Sequence, residues 1–268
     1  MSKKFKIVVL AKQVPDTRNV GKNAMKEDGT VNRAALPAIF NPEDMNALEQ
    51  ALRLKDRFPG SEVLLLTMGP GRAAEIIREG YYRGADGGIL LTDRKFAGAD
   101  TLATSYALSM AIKKISPDLI IAGRQAIDGD TAQVGPQMAE HLGIPQITYV
   151  EELEVLDGKV RAKRALEDGY FVIESEMPVL LTAIKELNEP RYPSIKGIYK
   201  SYRENNVSVW SANNYEVDRN NIGLDGSPTE VNKSFTPPGR GGESEMIEGA
   251  PRDVARKLIV RLKEEKVI

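Results

Sequence analysis

Four short, unbroken apolar runs constrain what this 268-residue chain can fold into more than any other feature. Residues 5–11 (FKIVVLA), 62–67 (EVLLLT), 88–92 (GILLT) and 118–122 (DLIIA) are rich in Val, Ile and Leu and lack polar alternation. Strands of that kind are covered on both faces, which is the pattern of a parallel sheet packed between helices. The covering helices are written between the runs, at 43–57, 71–83, 99–115 and 131–142, where apolar residues recur three and four apart. Asn41, Asp100 and Asp130 stand where N-caps or first-turn residues belong, and glycines after the second and fourth patterns act as C-terminal stops. The expected fold is α/β, an open, mostly parallel, doubly wound sheet with ligands at the carboxyl ends of its strands.

After residue 145 the pattern changes. Alternating stretches near 147–164 and 171–176 predict a β-hairpin excursion over about 145–177, and PVLLTAI at 178–184 predicts a strand that rejoins the sheet. From about 190 to 250 the periodicity fades: RYPSIKGIYK is basic and broken by proline, and 223–249 is rich in Gly, Pro, Ser and Glu. The last segment, PRDVARKLIVRLKEEKVI, predicts an amphipathic helix with Pro251 in its first turn. The expected organisation is an α/β domain over 1–200 and a C-terminal arm over 201–268 that lies against the body of the chain or against a partner.

Composition then removes whole classes of function. With 37 basic and 38 acidic residues, no sign of charge dominates, which argues against nucleic acid. The absence of cysteine excludes disulfides, thiolate-bound zinc, cysteine-ligated iron–sulfur clusters and a cysteine nucleophile, so redox chemistry must come from a bound cofactor. The one histidine, His141, falls at an expected helix end, where a capping or solvated role outweighs catalysis. No apolar run reaches the roughly 18–20 residues of a membrane span, and the expected location is the cytoplasm.

Three strand ends carry unusual residues. The first is Leu10-Ala11-Lys12-Gln13, with Asn41-Pro42-Glu43-Asp44 opening the following helix. The second is Met68-Gly69-Pro70-Gly71, whose glycines let backbone approach a ligand at a helix start. The third runs Gly123-Arg124-Gln125-Ala126-Ile127-Asp128-Gly129-Asp130-Thr131-Ala132-Gln133-Val134. Here Arg124 is suited to a phosphate, the Thr131 hydroxyl and the next helix start to a diphosphate, and Asp128 or Asp130 to loop capping or a ribose hydroxyl. Neither G-x-G-x-x-G nor G-x-x-x-x-G-K-[ST] occurs.

At that third loop the chain resembles the beta subunits of electron-transferring flavoproteins. The similarity covers most of the sequence: VVLAKQVPD, FNPEDMNALEQALRLKD, MGPGRAAEIIREGYYRGAD, IIAGRQAIDGDTAQVGP and LTAIKELNEPRYPSI stand in the family order. The signature before residue 178 is met loosely, with Ala162 and Phe171 where valine and an acid are expected. The resemblance implies a fold of the adenine-nucleotide α-hydrolase type. It also implies a nucleotide held by the Leu10 and Ala11 backbone, by Asn41, Pro42, Glu43 and Asp44, by Met68 and by the 123–134 loop. An alpha subunit is implied as partner, and Leu187, Asn188, Glu189, Pro190, Arg191, Tyr192 and Ile195 resemble the loop that docks partner dehydrogenases, within a partner-recognition stretch of about 187–200.

Two kinds of member exist in that family. One holds AMP and acts as an electron shuttle. The other holds FAD, accepts hydride from NADH and bifurcates the electrons to ferredoxin or flavodoxin and to an acyl-CoA or hydroxyacid dehydrogenase. Small residues at Gly129, Thr131 and Ala132 resemble the FAD type, and Gly69 to Gly71 are placed to approach the NADH phosphates. The rival from another class is a stand-alone adenine-nucleotide-binding regulatory or hydrolytic domain.

Overall fold

Each apolar run becomes a strand. The computed structural model describes residues 3–16, 37–156, 158–204, 206–229 and 246–268. In chain order these form β1 (Lys6–Leu10), the short β2 (Gln13–Pro15) and β3 (Ala38–Phe40), α1 (Pro42–Arg57), β4 (Glu62–Met68), α2 (Ala74–Arg83) and β5 (Gly87–Leu91). They continue with α3 (Thr101–Ile115), β6 (Leu119–Gly123), α4 (Val134–Leu142), β7 (Gln146–Leu156), β8 (Lys159–Leu166), β9 (Gly169–Glu176) and β10 (Val179–Ala183). α5 (Ile195–Ser201), β11 (Val207–Trp210) and α6 (Pro251–Glu264) complete the chain.

The main sheet has nine strands in the order β11-β5-β4-β1-β6-β10-β7-β8-β9. Pairings from β11 to β7 are parallel, and β7-β8-β9 are antiparallel. Consecutive residues of β1 serve opposite layers. Ile7 and Val9 pack with Leu48, Leu52 and Ile77 from α1 and α2, while Val8 and Leu10 pack with Ala111 and Ile112 of α3 and Met138 of α4. Burial of each such large aliphatic side chain stabilises the fold by about 1.5–3 kcal/mol. After β1 the chain adds β4 on one side and later β6 on the other, so β1 and β6 flank the switch point where such sheets bind ligands.

Asp100 caps α3, its carboxylate accepting from the N–H groups of Leu102 and Ala103 at 3.0 Å each. Gly84 and Gly143, with φ of 121° and 65°, end α2 and α4 as the sequence implies. Asp130 is not a cap: α4 starts at Val134, later than the expected 131, and Asp130 itself has φ 48° in the loop before it. His141 lies in the last turn of α4 with its ring edge-on to Tyr106.

The region 145–177 does not leave the sheet. Its three strands extend the edge, and β10 enters between β6 and β7. The expected arm over 201–268 differs more. Val207–Trp210 is an edge strand of the main sheet beside β5, and Ala212, Tyr215 and Ile222 are buried in the α3 layer. Of the Gly/Pro-rich 223–249 stretch, 230–245 lie outside the described residues, and Ser227 and Thr229 bond to Asp100. The terminal helix forms with Pro251 at its start and no buried residue, leaving Leu258, Ile259 and Val260 about half exposed.

Candidate functional site

A cavity of about 700 Å³ opens above the carboxyl ends of β1, β4, β5 and β6. Leu10 and Ala11 end β1, Met68-Gly69-Pro70 follow β4, and Gly123, Arg124, Gln125 and Ala126 follow β6. Gly129 to Gly135 form the wall that leads into α4. The sequence reading brought these three strand ends together, and the structure places them around one space.

Asp44 ties two of those ends to each other. Its carboxylate accepts from Lys12 N at 2.8 Å and from Gly123 N at 3.0 Å, which fixes the end of β1 against the end of β6. The approach needs glycine at 123, because a Cβ there would lie 2.4 Å from Asp44 Oδ1 and 2.7 Å from Asp44 N. Burial pushes the Asp44 carboxyl up to about 7, against the lowering effect of those N–H groups. For this group the stability contribution is present below its ordinary value near 4 and is lost as pH rises through about 7. Asp44→Asn removes that titration. Between pH of about 4.5 and 7, denaturant melts are therefore expected to show wild-type stability falling relative to the variant by about 1 kcal/mol per pH unit. Parallel curves would contradict the burial argument.

Several predicted residues stand behind the wall instead of on it. Asn41 is fully buried at the N-cap position of α1, as expected, but its side chain caps no helix N–H: its Nδ2 donates to Gln125 O at 2.8 Å and its Oδ1 accepts from Ile127 N at 3.1 Å. Its role is to clamp the 125–127 turn. Asp128 pairs with Lys12 at 2.7 Å, fastening the far side of the same loop. Glu43 accepts from Gln125 N and pairs with Arg124 Nη2 at 2.9 Å; burial nevertheless pushes its carboxyl up. Asn41, Pro42, Glu43, Ile127 and Asp128 thus do not line the cavity. Arg124 does, with its guanidinium 5.7 Å from the Tyr149 ring and its Nε buried without an acceptor.

The loop before α4 has an unusual backbone. Asp130 and Ala132 adopt φ of 48° and 53°, and Gly129 has open space where a Cβ would be. Ala132 is followed by the right-handed Gln133, a pairing that turns successive N–H groups to one side, and the first turn of a helix such as α4 has N–H groups without intrahelical partners. Thr131 belongs to this loop and precedes the helix. Asp130 lines the cavity and accepts from Gln125 Nε2 at 2.9 Å.

One wall was missed from sequence. Thr92, Asp93, Arg94 and Phe96 through Thr101, which follow β5, close the side facing α3. The rule that singled out three strand ends applies equally to the fourth, TDRKFAGAD. Its own signal was Asp93, held below the usual carboxylate range mainly by the Lys95 N–H, and positioned by Ala212 N as well.

The sequence's docking loop is held from below by α1. Asn46 Nδ2 donates to Asn188 O at 2.7 Å, Asn188 Nδ2 donates to Asn46 O, and Arg191 reaches Glu49 through Nε at 2.8 Å and Nη2 at 3.2 Å. Burial would raise Glu49, but hydrogen bonds from Arg191 and Arg53 bring it below its ordinary range. With its backbone anchored, the loop leaves Tyr192 93% and Ile195 87% exposed.

Residues 28–212 match the electron transfer flavoprotein domain. The chain belongs to the electron transfer flavoprotein family, as a beta subunit. It is 51% identical to the electron transfer flavoprotein subunit beta of Clostridium acetobutylicum, over 98% of this chain and 99% of that one. It is 49% identical to the caffeyl-CoA reductase-Etf complex subunit CarD of Acetobacterium woodii, over 98% and 100%. The acryloyl-CoA reductase electron transfer subunit gamma of Anaerotignum propionicum is 47% identical over 98% and 100%. In this electron transfer flavoprotein subunit no described helix is long and apolar enough to cross a membrane.

Proposed function

We propose that this beta subunit holds FAD in the strand-end cavity and, with an alpha subunit, takes electrons from NADH. The electrons are divided between ferredoxin or flavodoxin and a flavin-dependent dehydrogenase of acyl-CoA or hydroxyacid type. The observation that carries this is the extent of the cavity, about 700 Å³ reaching from the end of β5 across to the start of α4. AMP has fewer than half the non-hydrogen atoms of FAD, and a space of this size falls within the roughly 300–1,000 Å³ of ligand pockets. Bulky residues over the phosphate position would divide it, but Gly129, Thr131 and Ala132 are small.

The residues present fit a dinucleotide. The N–H groups of the 131–135 segment suit a diphosphate, and Arg124, with an unpaired buried Nε, adds positive charge on the opposite side. Leu10, Ala11, Met68, Gly69 and Pro70 offer backbone and apolar surface between them. When bound, the flavin supplies hydride acceptance and single-electron transfer. The chain's own work is to fix the strand ends through Asp44 and Asn41, exclude water from the cavity and place cationic and N–H groups against phosphate. Two relatives named for acyl-CoA reductases support a dehydrogenase of that chemistry as electron acceptor, presented to Tyr192 and Ile195.

Arg124→Ala is expected to weaken nucleotide retention by about 1.5–3 kcal/mol, the worth of a charge-assisted contact. Flavin content after exhaustive dialysis of the complex measures it, and unchanged content counts against the assignment. The function itself is tested by mixing NADH with the purified heterodimer anaerobically and following flavin absorbance. Rapid bleaching in the absence of any dehydrogenase supports direct reduction by NADH; no bleaching overturns it.

A further inference from the structure

The 92–101 wall of the cavity is backed along its length by the segment that runs on from β11. The contacts keep one order. Trp210 O accepts from Thr92 N at 2.9 Å, Ala212 N donates to Asp93 Oδ2 at 3.2 Å, and a Cβ on Gly223 would strike Lys95 O. Further along, a Cβ on Gly98 would lie 3.4 Å from Leu224 Cβ, and Asp100 N donates to Ser227 Oγ at 2.9 Å. The last fastener is Thr229, whose Oγ1 and N donate to Asp100 Oδ2 at 2.8 Å and 3.3 Å.

Asp100 stands where these contacts meet the cavity. It lines the space, and its Oδ1 caps α3. The next residue, Thr101, donates through Oγ1 to Gln133 Oε1 at 3.0 Å, which joins this wall to the one leading into α4. Burial pushes the Asp100 carboxyl up, yet the Ala103 N–H and the Thr229 hydroxyl and N–H outweigh it and hold the group below the usual carboxylate range. Ser227 and Thr229 do not line the cavity themselves, but the Ser227 hydroxyl and both Thr229 donors reach the residue that does. Water would satisfy polar groups at so open a place, so their convergence on one residue serves to fix where it stands.

We propose that Ser227 and Thr229 are positioning residues for the nucleotide: they hold Asp100, and through it the 97–101 wall and its link to Gln133, in the arrangement that retains the ligand. The inference rests on the cavity holding a nucleotide, FAD or AMP alike. The coupling runs both ways, as any linkage must: a bound nucleotide tightens the hold on 227–229, and release of 227–229 weakens the nucleotide.

The test follows nucleotide loss from the purified complex with its alpha subunit, by extraction and chromatography after timed exposure to charcoal well below the melting temperature. Thr229→Val keeps the shape of the side chain and removes its hydroxyl, whereas Thr229→Ser keeps the hydroxyl. Thr229→Val and Ser227→Ala are expected to lose one equivalent of nucleotide at least about fivefold faster than wild type, and Thr229→Ser at the wild-type rate. A contact that serves folding alone would lower the melting temperature and leave that rate unchanged, so equal rates in a fully loaded complex overturn the proposal. Loss from Thr229→Ser as fast as from Thr229→Val would overturn it too, since the hydroxyl would then not be the fastener. A wild-type extract with one FAD and no second nucleotide would sink the cavity reading itself, and this inference with it.

Discussion

Gly123→Ala is expected to destabilise the fold by about 3 kcal/mol or more and to strip the complex of its nucleotide. The added methyl would sit 2.4 Å from Asp44 Oδ1 and 2.7 Å from both Asp44 N and Glu43 C. Two of those three atoms are backbone at the start of α1, so no rotamer change relieves the contact. Overpacking of that kind costs about 1–3 kcal/mol, and displacing Asp44 from Gly123 N adds the loss of a charged hydrogen bond, about 1.5–3 kcal/mol. Against a total stability of about 5–15 kcal/mol this is a large fraction. Lys12, Gly123 and the loop behind them would lose their common anchor, which opens the floor of the cavity. Denaturant midpoints and nucleotide content measure the two effects. A variant within about 1 kcal/mol of wild type and fully loaded would show that Asp44 does not organise the site.

Arg191→Ala is expected to cost about 2–4 kcal/mol and to release the loop over residues 187–195. Glu49 is only 4% exposed, and Arg191 gives it both a bidentate guanidinium and a backbone N–H. Removing the guanidinium leaves a buried carboxylate with only Arg53 and the backbone N–H of residue 191, the situation in which a broken buried pair is destabilising. The pH dependence carries a sign. In wild type Glu49 is held below its ordinary value, so its contribution is present above about 4.5 and is lost as pH falls through the folded value. In the variant burial dominates and the carboxyl moves up, so the penalty shrinks as the solution is acidified. Hydrogen exchange over 188–195 should accelerate, and electron delivery to a dehydrogenase should fall because Tyr192 and Ile195 lose their support. A penalty that is independent of pH, with exchange unchanged, would place the anchor elsewhere.

The sheet was legible because its strands carry the strongest of all sequence patterns. FKIVVLA or DLIIA, buried on both faces, reads as little else once helical periodicity follows it. β11 was not legible for the opposite reason. VSVW is four residues at an edge, with Ser208 and Val209 exposed, and the tertiary contact with β5 decides its state, not its composition. The start of α4 was read three residues early because TAQ before Val134 is compatible with a helix, while the left-handed Asp130 and Ala132 are visible only in the backbone.

The cavity followed a similar division. Glycines and polar residues after β1, β4 and β6 marked its floor, yet the 92–101 wall, which the same strand-end rule covers, was passed over because its residue types are ordinary. Asn41, read at the opening of the first helix, and Asp128, read in the third loop, were expected to contact the nucleotide, but their burial and partners make them clamps on that loop.

The central claim is that a flavin dinucleotide, and not a mononucleotide, occupies the cavity of this beta subunit. Acid extraction of the purified complex with its alpha subunit, followed by chromatographic quantification, tests it most directly. Two FAD per heterodimer and no AMP is the predicted result; one FAD and one AMP would contradict it and make the protein an electron shuttle without bifurcation.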